Sequence, residues 1–156
     1  WRMLGTPLET GKMVRPESAP KIRVLIVERH VAVRRALRTR LSATPDLDVL
    51  TAVADPTAAQ PYLGYDADRA TTPDVILLGL QSGSDEELFA TLQTVQQIAR
   101  CPAAVIVLVP YADEVERLLL QQAGVSRYLL KYIDSYRLIQ EIQAVAQQGR
   151  NAVAAN

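Results

Sequence analysis

Residues 73–80, Pro-Asp-Val-Ile-Leu-Leu-Gly-Leu, form a continuous apolar run, entered through a proline and left through Gly79, Gln81, Ser82 and Gly83. A run of that length with no polar alternation reads as a strand buried on both faces, as in a parallel sheet covered by helices. In open sheets of this kind, ligands and reactive groups gather at the carboxyl ends of the strands. Gly79 stands at that end and carries no side chain with which to do chemistry.

The rest of the chain repeats the pattern. Lys21 to Glu28 (KIRVLIVE) reads as strand one, and Val33, Leu37 and Leu41 give helix one, from about Val31 to Ala43, a buried stripe that Pro45 ends. Leu47 to Ala54 is strand two. Asp55 followed by Pro56 is a strong start for a helix that Pro61 and Gly64 interrupt. Asp74 to Gly79 is strand three. Ser84 can cap helix three, with Glu86 and Glu87 favourable in its first turn. That helix runs to about Arg100 with Leu88, Leu92, Val95 and Ile98 or Ala99 on one face. Ala103 to Val109 is strand four. Helix four spans about Ala112 to Ala123, with Val115, Leu118, Leu119 and Gln122 expected on its inner side and Gly124 ending it. Ser126 to Leu130 is strand five. Asp134 or Ser135 caps helix five, which turns Leu138, Ile142 and Val145 inward and stops near Gly149. Residues 1–20, rich in proline and glycine, read as an extension or linker, residues 21–149 as one folded domain, and residues 150–156 as a tail or the start of a linker.

Strands alternating with helices across short loops demand right-handed crossovers and a parallel sheet with helices on both sides. For five units of this length the expected fold is α/β, a doubly wound sheet of order 2-1-3-4-5 and flavodoxin-like connectivity. That order brings together Glu28 and Arg29 after strand one, Gly79 after strand three, Val109 at the end of strand four and Lys131 after strand five.

Composition narrows the functional classes. Lys plus Arg and Asp plus Glu number 17 each, so no global charge draws the chain to nucleic acid or anionic lipid. The single Cys101 excludes an internal disulfide and a multi-cysteine metal site, and before Pro102 and an apolar strand it reads as a buried structural thiol. No apolar run approaches the roughly 18 residues of a membrane helix and no signal-peptide core is present, so a cytoplasmic protein is expected. No glycine-rich phosphate loop followed by Lys-Ser or Lys-Thr occurs.

The stretches VLIVERH (24–30), PDVILLGL (73–80), AVIVLVPYAD (104–113) and AGVSRYLLK (123–131) resemble the receiver domain of bacterial response regulators of the NarL/LuxR type, with CheY-like fold, over about residues 21–148. The resemblance implies a phospho-accepting aspartate ending strand three. It also implies magnesium held by that aspartate and an acidic pair after strand one, and phosphoryl contacts from a Ser or Thr ending strand four and a lysine after strand five. This sequence departs at most of those positions. Gly79 stands at the acceptor position, Arg29 replaces the second acid after Glu28, Val109 replaces the hydroxyl residue, and Ser82-Gly83 replaces the usual Met-Pro; Lys131 is intact. Aspartyl phosphate needs a carboxylate nucleophile, and Mg²⁺ wants several oxygen ligands; one carboxylate facing two cations favours a salt bridge from Lys131 or Arg29 to Glu28 instead.

The expected function is therefore that of a pseudo-receiver without catalysis, metal or cofactor. Such a module works in signal transduction or transcription regulation through protein contacts, including self-association as a homodimer, independently of aspartyl phosphorylation. The relatives imply a DNA-binding output domain after helix five, absent from this chain. An alternative is a sensor binding an anion or nucleotide-like ligand in the pocket freed at Gly79 and lined by Arg29 and Lys131. Another is a receiver phosphorylated elsewhere, to which Asp85, Glu86 and Glu87 are candidates, although acids at a helix start have a structural explanation. Tyr128 falls at the aromatic switch position of receivers and, with no hydroxyl at 109 to pull on it, is expected to be fixed. With Tyr111, Tyr132 and Tyr136 it makes a candidate interaction face of helix four, strand five and helix five. Arg34, Arg35 and Arg38 are expected to project from helix one as a solvated face rather than to bind nucleic acid, and His30 to act at the helix start.

Overall fold

The computed structural model describes residues 20–63, 72–81, 84–98 and 101–155, with side chains as far as Gly149. The expected N-terminal extension and the Ser82-Gly83 pair lie outside the described residues. Five parallel strands, β1 (Ile22–Val27), β2 (Leu47–Val53), β3 (Val75–Gly79), β4 (Ala104–Val109) and β5 (Arg127–Leu130), lie in the order β2-β1-β3-β4-β5. Helices α1 (Val31–Ser42), α2 (Pro56–Ala59), α3 (Asp85–Ile98), α4 (Glu114–Gln122) and α5 (Ser135–Ala155) make the crossovers, and a 3-10 turn at Gln60–Tyr62 follows α2. The doubly wound sheet expected from the sequence is the one observed.

The strand pleat explains how the helices divide. Side chains at alternate positions point to opposite faces. Val24, Ile26, Leu77 and Ile106 pack with Leu41 of α1 and Leu138, Ile142 and Val145 of α5. Leu25, Val27, Ile76 and Val107 pack on the other face with Ala59 of α2, Val95 and Ile98 of α3 and Leu120 of α4. Each fully buried Leu, Ile or Val contributes roughly 1.5–3 kcal/mol of apolar transfer, so the central strands, buried on both sides, anchor both layers. At the amino edge of the sheet, Asp74 accepts from the backbone N–H of Arg23 at 2.9 Å and pairs with its guanidinium at 3.2 Å.

Side chains fix the helix starts. Asp55 accepts from the Ala58 N–H at 3.0 Å, Ser84 from Glu87 at 3.2 Å, Asp113 from Glu116 at 2.8 Å and Asp134 from Tyr136 at 2.7 Å. His30, at the start of α1, accepts from the Val33 N–H. Gly124 ends α4 with φ of 117°, which a residue with a side chain rarely adopts. Cys101 is a buried free thiol, as expected. No helix among the described residues is long and apolar enough to cross a membrane.

Three expectations need correction. Helix α4 turns Leu120 inward, while Val115, Leu118 and Leu119 are exposed, at 63%, 47% and 36%. The cap at Asp113 starts the helix two residues later than expected, and the half-buried Glu116 takes an inward place to meet Tyr128, which rotates the apolar residues outward. Arg34 does not project: its guanidinium folds back to donate to the carbonyls of Glu28 (2.8 Å) and Arg29 (3.2 Å). Helix α5 passes through Gly149 and ends at Ala155, because a single glycine weakens a helix without breaking it.

Candidate functional site

The carboxyl ends of β1, β3, β4 and β5 converge as the strand order requires, and Glu28 lies at their centre. It is the one buried charged residue among those described, with no solvent exposure. Its Oε2 accepts from the backbone N–H of His30 at 2.8 Å and from Gln81 Nε2 at 3.4 Å. Its Oε1 lies 2.9 Å from Lys131 Nζ. That contact is one of charge, since Oε1 has no partner in hydrogen-bond geometry. Lys131 is itself held in place: its backbone N–H donates to the Val109 carbonyl at 2.7 Å, just past the last β4–β5 pair.

Gly79 explains how Glu28 fits. A Cβ placed on Gly79 would lie 2.0 Å from Glu28 Oε1 and 2.8 Å from its Cδ, closer than non-bonded atoms can approach. The carboxylate of Glu28 therefore fills the volume that a side chain on residue 79 would need. The absence of a side chain at the end of β3 and the inward turn of Glu28 are two halves of one arrangement.

Arg29 stays at the surface, so of the two candidate cations it is Lys131 that pairs with Glu28. Val109 is buried among apolar neighbours and offers no hydroxyl. The pocket expected around Gly79 is not a space shared by Arg29 and Lys131. A shallow cavity of about 170 Å³ is lined by Arg29, Gly79, Gln81, Thr91 and Thr94, while Lys131 is drawn away to Glu28. A divalent metal does not fit the set: one carboxylate is present, a lysine ammonium lies 2.9 Å from it, and no three metal-ligating side chains converge among the described residues.

Of the four tyrosines of the candidate interaction face, Tyr111, Tyr132 and Tyr136 are exposed, each above 70%. Tyr128 is half-buried and doubly held: its hydroxyl donates to Glu116 Oε1 and accepts from the Asp113 N–H at 3.1 Å. Burial, followed by the bond to Glu116, pushes the phenol up to about 12. Tyr128 thus clasps β5 to the start of α4 and is fixed by partners that sequence reasoning did not name. Gln81, Glu116 and Asp113 were missed because their roles depend on which way α4 and the loop after β3 turn. The acid three residues after a capping Asp was the available signal.

This arrangement is built on the CheY-like receiver fold. The signal receiver domain of NarL from Mycobacterium tuberculosis superposes with a TM-score of 0.65 at 21% identity, covering 82% of this chain and 98% of that domain. A CheY-like receiver domain protein from Methanospirillum hungatei gives 0.67 at 13% identity, covering 85% and 98%. In sequence, the transcriptional regulatory protein DegU of Brevibacillus brevis is 30% identical over 135 residues, and LiaR of Bacillus subtilis 29% over 126. A protein-glutamate methylesterase of Rhodopseudomonas palustris is 45% identical over 62 residues, 16% of its length. The chain covers 83% and 81% of itself in the DegU and LiaR matches but only 52% and 56% of those proteins, about half their length. No family model matches the chain.

Proposed function

We propose that this chain is a pseudo-receiver: a cytoplasmic signalling module that works through protein contacts and takes no phosphoryl group at the end of β3. The observation that carries this reading is the Glu28 carboxylate seated in the side-chain space of Gly79 and paired with Lys131 at 2.9 Å. A phosphorylated receiver needs a nucleophile, a metal and a cation at this place. Here the nucleophile position has no side chain, and the cation is already engaged by an internal carboxylate. The pair supplies permanently the kind of contact that a phosphoryl group would supply transiently.

The names of DegU and LiaR as transcriptional regulatory proteins support transcription regulation as the process this module serves, with output passed to a DNA-binding domain. Regulation then comes from whether a partner is bound rather than from a covalent mark. An NMR titration with magnesium and a beryllofluoride phosphoryl mimic tests this. The amides of Gly79, Gln81 and Lys131 are expected to keep their shifts throughout. Saturable shifts confined to those three positions would refute it.

A further inference from the structure

We infer that the groove between the amino ends of α3 and α4 receives helix α1 of a second copy of this chain. The groove, about 390 Å³, is lined by Leu88, Tyr111 and Val115 and by the acids Asp85, Asp113 and Glu116, the last two of which also cap α4 and hold Tyr128. Tyr111 and Val115 are among the most exposed large apolar residues described, at 75% and 63%. Such a site fits an apolar knob flanked by cations. Helix α1 presents that chemistry on its outer face. Val31 is half exposed, and Arg35 and Arg38 follow it at four and seven residues, so the three share one stripe. Neither arginine is drawn into the hydrogen bonds that tie Arg34 and Arg40 to the protein.

Val31 opens α1 and the groove lies at the starts of α3 and α4, all at the carboxyl edge of the sheet but on opposite faces, since α1 packs with the α5 layer and α3 and α4 with the other. One copy cannot bring them together; two can. The contact joins unlike surfaces, so each copy carries one donor and one acceptor. It specifies a contact through which the pseudo-receiver reading works, and it is tested separately from phosphorylation.

Sedimentation of the full chain is the test. The wild-type chain is expected to self-associate, with the association constant falling tenfold or more as salt rises from about 0.1 M to about 1 M, over which the Debye length shrinks from about 10 Å to about 3 Å. Val115→Glu, which spoils the groove, and Arg35→Glu/Arg38→Glu, which spoils the knob, are each expected to be monomeric with unchanged circular dichroism. Mixed, they should form a one-to-one complex, because one retains the intact α1 and the other the intact groove. Should Val115→Glu fail to fold, Asp85→Arg replaces it. A monomeric wild type, a mixture that stays monomeric, or an α1 variant that still self-associates would overturn the proposal.

Discussion

Replacing Lys131 with methionine removes the cation beside Glu28 and keeps most of the side-chain volume. In the variant a carboxylate with no solvent exposure loses its ion-pair partner, while its bonds to His30 and Gln81 remain. Breaking a buried pair from one side costs about 3–5 kcal/mol, because the remaining charge is stranded in a low-dielectric site. Lys131 keeps 15% of its side chain exposed, so some water reaches the pair and the lower half of that range applies. For a domain of this size each kcal/mol moves the melting temperature by roughly 2–4 °C, giving a fall of about 6–16 °C at neutral pH. The second arm is the double variant Glu28→Gln/Lys131→Met. Removing both charges leaves a neutral amide that can still accept from the His30 N–H, and buried pairs replaced together by neutral groups are often no less stable than the original. Thermal and urea unfolding of the four species complete a double-mutant cycle. A coupling energy of about 2 kcal/mol or more supports the internal pair. A Lys131→Met variant within about 0.5 kcal/mol of wild type, or a double variant as unstable as the sum of the singles, would refute the reasoning.

Other perturbations follow from the same geometry. Gly79→Ala places a methyl 2.0 Å from Glu28 Oε1 and is expected to destabilise the fold by about 1–3 kcal/mol by overpacking, read by urea unfolding. Leu120→Ala is expected to cost about 2–5 kcal/mol as a core truncation, while Leu118→Ala costs under about 1 kcal/mol, as suits an exposed surface site; equal costs would mean that α4 faces the other way. Tyr128 holds its proton up to about 12 in the folded chain, above the tyrosine value of about 10 in an unfolded one. The folded state therefore binds the proton more tightly, so this contribution to stability is complete below about pH 10 and is lost as pH rises towards 12. Spectrophotometric titration should show a late-titrating phenol that Tyr128→Phe abolishes.

The sheet was legible because its strands are apolar runs punctuated by proline, glycine and capping residues, and parallel pairing needs little else. The converging ends followed from the strand order, so Glu28, Arg29, Gly79, Val109 and Lys131 could be named together. What sequence could not give was the orientation of side chains within that set. Glu28 turns inward because Gly79 leaves room, a relation between residues 51 positions apart. The phase of α4 differs from the expected one for a similar reason. Counting apolar residues puts Val115, Leu118 and Leu119 inside, but Asp113 and Glu116 are pinned by the cap and by Tyr128, and that leaves Leu120 as the buried one. An arginine on a helix is expected in solvent, yet the carbonyls of Glu28 and Arg29 after β1 lie within reach of Arg34.

The end of β3 is proposed to take no phosphoryl group. Intact-mass analysis after incubation with a small acyl-phosphate donor and magnesium tests it most directly. An unmodified mass is expected at every time point, since the carboxylate at this site is buried and held by Lys131. A stoichiometric, acid-labile phosphoryl adduct mapped to this pocket would contradict it.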